Sequence, residues 1–245
     1  MFYGLGKDEQ ERLHRALKEI DGLYGRVFHA DHLITVMRCM GFFEDERFMA
    51  AYRKAAHTDQ ERSLVWRMHT LTWAAGHCAA LAGDFVECGV YRGFSSAVVL
   101  DFLQFQDLGR RFYLYDSFSG IPEAYRGGSP MPPQSYEDEG LYERVLERFA
   151  AYPNVHVVQG VVPESFEQLC PERIAYLHLD LNSHQAELGA LEALFDRVTP
   201  GGMIVLDDYG WQWYRAQKDA EDAFMRQRGY AVLELPTGQG LVVKR

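Results

Sequence analysis

Seven short apolar runs punctuate the chain from residue 84 onward, and the spacing between them dictates its topology. They read DFVECGV (84–90), RFYLYD (111–116), VHVVQG (155–160), IAYLHLDL (174–181), GMIVLDD (202–208), YAVLEL (230–235) and LVVKR (241–245). Runs this short are what buried strands look like. The intervals between the first five are long enough for crossover helices, so those strands run parallel in a doubly wound sheet. The last two runs are joined only by PTGQG and must pair as an antiparallel hairpin. The fold class expected is therefore α/β, a mostly parallel seven-stranded sheet closed by an antiparallel C-terminal hairpin.

Ahead of the sheet, residues 1–82 read as a helical N-terminal extension. Leu13, Leu17, Ile20 and Tyr24 share one helical face. Thr58–Glu61, TDQE, has the capping-box pattern, and Leu64, Met68, Leu71, Ala75, Cys78 and Ala82 follow at spacings of four and three until Gly83 stops the helix. HLITVMRCM, residues 32–40, reads as a further helix. The division expected is a helical cap over 1–82 and a sheet domain over 83–245. Within the latter, the stretch from Ser119 to Pro153 holds a Gly/Pro-rich segment and then a charged, helical segment from Tyr136 to Phe149. A loop that long inside a compact domain marks a lid or a binding element.

Charge and composition remove several classes of function. The net charge is -10, from 25 basic and 35 acidic residues, which disfavours nucleic acid and anionic membrane as partners. The four cysteines, Cys39, Cys78, Cys88 and Cys170, form no C-x-x-C pair, so neither a zinc site nor a disulfide framework is indicated. The N-terminus turns charged too early for a signal peptide, and no apolar stretch is long enough to span a bilayer. The expectation is a soluble, cytoplasmic protein.

Carboxylates collect at the strand ends. Glu87 lies near the end of the first run, Asp116 ends the second, Asp180 the fourth, and Asp207 with Asp208 the fifth. In a parallel sheet these ends share one edge, where doubly wound folds bind ligands. Five carboxylates there repel one another unless something positive or rich in hydroxyls sits among them. The first turn, ECGVYRGFSS (87–96), carries Gly89 and Gly93 but lacks G-x-G-x-x-G and a Walker lysine, so phosphate cradling is not favoured. A Gly-rich first turn followed about twenty residues on by an acid at the end of strand two marks a nucleoside whose ribose hydroxyls bond that acid. Asp116, with Ser117 beside it, fits that role. Glu87 before the turn suits a cationic tail such as a methionine ammonium. Tyr91 and Ser95 sit in the turn, and Gly160 ends strand three where the adenine would lie.

A sheet that ends in an antiparallel hairpin is the Rossmann-like, class I methyltransferase arrangement. The stretches DFVECGVYRGFSS, YLYDSFSGIPE, GVVPESF and YLHLDLNSHQAELGALEALFDRVTPGGMIVLDDYG together resemble the macrocin O-methyltransferase family, the TylF/MycF group, over about residues 60–245. The resemblance implies transfer of a methyl group from S-adenosylmethionine to a hydroxyl of a sugar or related small-molecule acceptor. It also implies a divalent ion, usually magnesium, on Asp180, Asp207 and Asp208.

One departure from the family stands out. The strand-four motif of the family is D-x-D-L-Y, whose second aspartate is the presumed base; here DLNSHQ puts Asn182 in its place. An amide does not accept a proton at neutral pH. Either His184, two residues on, takes the role or the metal alone acidifies the acceptor. His178, inside the strand, packs or bonds a neighbour. Trp211, Trp213 and Tyr214 follow the acidic pair and suit sugar stacking or core packing equally. The N-terminal helices cap the acceptor site or join two copies in a homo-oligomer. Two other readings stay open: a nucleotide-dependent oxidoreductase, and a methyltransferase-like protein that binds a ligand or partner without chemistry.

Overall fold

All seven runs become strands of one sheet. A computed structural model describes residue 2 and residues 4–127, 129–132 and 135–245; Gly128, Pro133 and Gln134 of the long loop fall outside the described residues, as do Met1 and Tyr3. In chain order the elements are α1 (Lys7–Tyr24), β1 (Val27–Ala30), β2 (Leu33–Val36), α2 (Glu46–Ala55), α3 (Val65–Cys78), β3 (Asp84–Cys88), α4 (Phe94–Leu103), β4 (Phe112–Asp116), α5 (Leu141–Phe149), β5 (Val155–Gln159), β6 (Ile174–Leu179), α6 (His184–Leu194), β7 (Val198–Leu206), α7 (Arg215–Gln227), β8 (Leu233–Glu234) and β9 (Gly240–Val243).

The strand order is β5-β4-β3-β6-β7-β9-β8, parallel throughout except for β9 between β7 and β8. Cys88 pairs with Tyr115 and with Leu179, and Leu179 pairs with Leu206. One residue beyond this row come Gly89, Asp116, Asp180 and Asp207, so the acids stand side by side along one edge. Backbone bonds continue across it: Asp180 N–H donates to Cys88 O at 2.8 Å and Asp207 N–H to Leu179 O at 2.9 Å.

Side chains alternate between two apolar layers. Phe85, Leu114, Tyr176 and Val205 face α2, α3 and α4, whereas Val86, Tyr115, Leu177 and Ile204 face α6 and α7. Each of these eight side chains is almost fully buried, and each such burial contributes about 1.5–3 kcal/mol. The first layer also takes in Phe28, Phe42, Phe48 and Leu71, so the N-terminal segment shares the core of the sheet. The cysteines are unpaired, and no described helix is long and apolar enough to cross a membrane.

Three local expectations are corrected. HLITVMRCM is not a helix: residues 27–36 form a β-hairpin whose two-residue turn, Asp31-His32, has positive φ at both positions. That is the primed turn favoured by tight hairpins, written here without the glycine that usually signals it. TDQE does form reciprocal bonds, Glu61 N–H to Thr58 Oγ1 at 3.1 Å and Thr58 N–H to Glu61 Oε2 at 2.8 Å. They close a 3₁₀ turn over Glu61–Ser63, one step ahead of α3. The segment from Tyr136 is helical only from Leu141 to Phe149.

Candidate active site

A cavity of about 670 Å³ opens along the acidic edge. At one end lies the turn from β3 into α4. Gly89 there has φ +91°, and a Cβ on it would stand 1.8 Å from the Asp180 carbonyl oxygen; no other residue fits so close to a neighbouring strand end. Asp116 organises the turn. Its Oδ2 accepts from the Val90 and Tyr91 amides at 2.7 Å each, and its Oδ1 accepts from the Phe118 amide at 2.7 Å. Burial raises the Asp116 pKa, and the three amide bonds oppose that rise.

Gly89, Tyr91, Ser95, Asp116 and Ser117 line the cavity; Glu87, Gly93 and Gly160 do not. Glu87 is turned inward beneath the turn, where it accepts from the Ser95 and Ser96 hydroxyls and lies 3.3 Å from His178 Nδ1. Gly93 and Gly160 answer to packing, since a Cβ on either would meet Phe149 or Ser165 closer than 3 Å.

The other end of the cavity holds Asp180, Asn182, Asp207 and Asp208, with Trp211, Trp213 and Tyr214 along its wall. What makes the adjacent aspartates tolerable is Arg67, on the buried face of α3. Its Nη1 lies 2.5 Å from Asp207 Oδ2 and 3.9 Å from Asp208 Oδ1. Its Nε and Nη2 bond Asp31 of the hairpin turn at 2.7 and 3.3 Å, and its guanidinium lies 4.8 Å from the Trp211 ring centre. Burial works against the guanidinium's charge, but Asp207, Asp31 and Asp208 hold its pKa well above the ordinary value. Burial works to raise Asp207 as well, yet Arg67, His178 and Gln239 hold it below its ordinary value. Asp208, buried beside Asp207, is pushed up to about 8. Asp180 is likewise pushed well up by burial and by both neighbours. His178 lies 3.5 Å from Asp207 Oδ1; burial opposes its charge, but the two acids flanking it outweigh burial and raise its pKa.

Asn182 is a hub of hydrogen bonds. Its Oδ1 accepts from the Tyr136 hydroxyl at 3.1 Å and from the Tyr214 hydroxyl, and its Nδ2 donates to Asp180 Oδ1 at 3.2 Å. Burial pushes both phenols far up, so both remain protonated donors. His184 begins α6 outside the cavity lining.

Sequence reasoning missed Arg67, Asp31, Gln239 and Tyr136. Arg67 carried a signal, because it falls between Leu64 and Leu71 in the buried stripe of α3, where a charge demands a partner. Gln239, in the PTGQG link, donates from Nε2 to Asp207 Oδ1 at 2.8 Å, and nothing local announces it.

The donors around Asp207 bear on the divalent ion. His178, Asp180 and Asp207 each offer a ligand atom within 4.8 Å of the others. Yet both Asp207 oxygens already accept hydrogen bonds, one from Arg67 and one from Gln239. Oδ2 of Asp208 has no partner, and Asp180 Oδ1 accepts only from Asn182. As arranged, the edge does not fit a divalent ion unless Arg67 moves.

Sheet order, closing hairpin and ligand edge together define a class I methyltransferase fold. Among solved structures, the O-methyltransferase NovP matches with a TM-score of 0.64 at 21% identity over 74% of this chain and 80% of its own. The calicheamicin methyltransferase CalS11 matches with a TM-score of 0.64 at 15% identity over 99% of this chain and 95% of its own. The chain belongs to the macrocin-O-methyltransferase (TylF) family, whose profile matches residues 54–231. A tetracenomycin rhamnosyl 4'-O-methyltransferase of Streptomyces olivaceus is 32% identical over 52% of this chain and 53% of its own length. Mycinamicin III 3''-O-methyltransferase of Micromonospora griseorubida is 28% identical over 54% of this chain and 60% of its own length. The chain thus spans little more than half the length of the curated relatives it matches.

Proposed function

We propose that this protein transfers a methyl group from S-adenosylmethionine to a hydroxyl of a sugar-bearing small molecule. The observation that carries the reading is a single cavity with two chemically different ends, the Asp116-braced turn and the acid-and-aromatic wall. Its volume has room for a cofactor and part of an acceptor. The tetracenomycin relative, which methylates a rhamnosyl-bearing compound, favours the same acceptor class. A dinucleotide is disfavoured because the Val90 and Tyr91 amides, the groups that would cradle a pyrophosphate, are taken by Asp116.

In the proposed step, the acceptor oxygen attacks the sulfonium methyl carbon. A C–O bond forms as the C–S bond breaks with its electron pair going to sulfur, and the hydroxyl proton passes to Asp180. Asp180 suits that role because it lines the cavity and, unlike Asp207 and Asp208, is only half-buried. Asn182 holds it in place through Nδ2. The wall of Trp211, Trp213 and Tyr214 would orient the sugar ring, and alignment of oxygen, carbon and sulfur supplies much of the acceleration. Calorimetric titration with S-adenosylmethionine and with NAD, followed by mass-spectrometric assay on hydroxylated glycosides, tests the reading. Binding of S-adenosylmethionine with transfer to a glycoside is the expected result. Binding without transfer to any hydroxylated acceptor would leave a ligand-binding protein instead.

A further inference from the structure

We propose that the Arg67 guanidinium is the resident cation of the acidic edge, standing where a divalent ion would otherwise be held. A guanidinium inside a protein is tolerated only when carboxylates and hydrogen bonds replace its water. Arg67 is buried, and its three nitrogens reach Asp31 and Asp207, with Asp208 close by. This planar fork is shared between two carboxylates from parts of the chain 36 and 140 residues away. The face of Trp211 covers it.

The surroundings of Asp207 reinforce the point. Magnesium and manganese take oxygen lone pairs, preferably six in near-octahedral array. Both Asp207 oxygens already accept N–H donors, Arg67 on one and Gln239 on the other, even though His178 and Asp180 stand close by. Gln239 is fixed in that sense because its own Oε1 accepts from the Thr237 hydroxyl at 2.9 Å. A cation entering beside Asp207 would meet N–H groups where it needs lone pairs. Arg67 lines the cavity but acts through Asp207, so its role is positioning: it neutralises the acidic pair and anchors the hairpin turn against the acceptor end. Asp180, at the edge of the cluster, keeps its free oxygen for the acceptor.

The activity arm of this inference rests on the methyl-transfer reading, whereas the ion-binding arm does not. The full chain, stripped with EDTA, is titrated with Mn²⁺ under electron paramagnetic resonance detection. The wild type should bind the ion weakly. Arg67→Met should bind it at least about tenfold more tightly, because one buried positive charge has been removed from beside the carboxylates. Arg67→Lys, which keeps the charge, should stay close to the wild type. Where methyl transfer is measured, the wild type should keep its rate in EDTA, and Arg67→Met should gain a requirement for added ion. Tight stoichiometric Mn²⁺ binding by the wild type, abolished by Asp207→Asn, would overturn the inference. So would an Arg67→Met variant that folds and binds the ion no better than the parent. Should Arg67→Met not fold, the wild-type and Arg67→Lys titrations decide the matter.

Discussion

The Tyr136 hydroxyl donates to Asn182 Oδ1 at 3.1 Å, joining the long loop after β4 to the end of β6 across the cavity. The same oxygen takes the Tyr214 hydroxyl, so one amide holds two walls of the site together. Asn182 itself has φ +56°, a left-handed conformation that asparagine accepts more readily than most residues. The position is occupied by an organiser of the site and not by a base.

Restoring the family's aspartate should therefore harm the site. In Asn182→Asp the Nδ2 donor to Asp180 is lost, and two carboxylates face each other instead. Leaving a buried polar group without its partner costs about 1–3 kcal/mol. Urea unfolding should show a loss of that size, and methyl transfer should fall. Unchanged stability together with faster turnover would mean that position 182 is the base after all.

His184 and Asp180 separate under substitution. Because His184 does not line the cavity, His184→Ala should keep its turnover within a few-fold of the parent. Asp180→Asn should lose on the order of 10²–10⁴ in rate, the usual contribution of a positioned base. Steady-state kinetics on the same acceptor checks both, and the reverse ranking would return the histidine to the mechanism.

Asp116 should matter to both the fold and the cofactor. It accepts three backbone amides, so Asp116→Ala leaves donors of the first turn unpaired and should cost about 1–3 kcal/mol of stability. S-adenosylmethionine should bind roughly ten- to a hundredfold more weakly. Calorimetry below the melting temperature distinguishes the two effects. Full affinity in a folded variant would move the ribose elsewhere.

Glu187 gives a signature in pH. Its side chain is buried, Oε1 accepts from the Leu181 amide at 2.8 Å, and Oε2 has no partner. Burial is the main cause that raises its pKa from 4.5 to about 8. The folded state thus binds a proton that the unfolded state releases, so stability is favoured at low pH and falls as pH rises from about 4.5 towards 8. One such carboxyl contributes a slope of up to about 1.4 kcal/mol per pH unit. Glu187→Gln should flatten the stability profile between pH 5 and 8 by about that slope or less. A profile as steep as the parent's would assign the slope to the other carboxyls raised by burial, Glu221, Asp208 and Asp180.

Run length and run spacing determined the sheet. Strands buried on both faces need apolar residues at nearly every position, and only a crossover of helical length returns a parallel strand, so both signals are local. The acids at 116, 180, 207 and 208 were legible for the same reason: a charge that ends an apolar run must lie where the strand leaves the core. The neighbours of those acids were not legible. Arg67 reaches Asp207 from 140 residues away, and Gln239 does so from 32. The hairpin turn at Asp31-His32 has no glycine to announce it, and Arg67 holds the Asp31 side chain from outside the turn. The side on which His184 falls was decided by the way α6 starts, with Ser183 capping it and donating to the Tyr125 carbonyl. Charge pairing and side-chain direction depend on which elements pack together, and packing is set by the whole core. Sequence therefore determined where the negative charges end up, and tertiary structure decided which positive charge faces them.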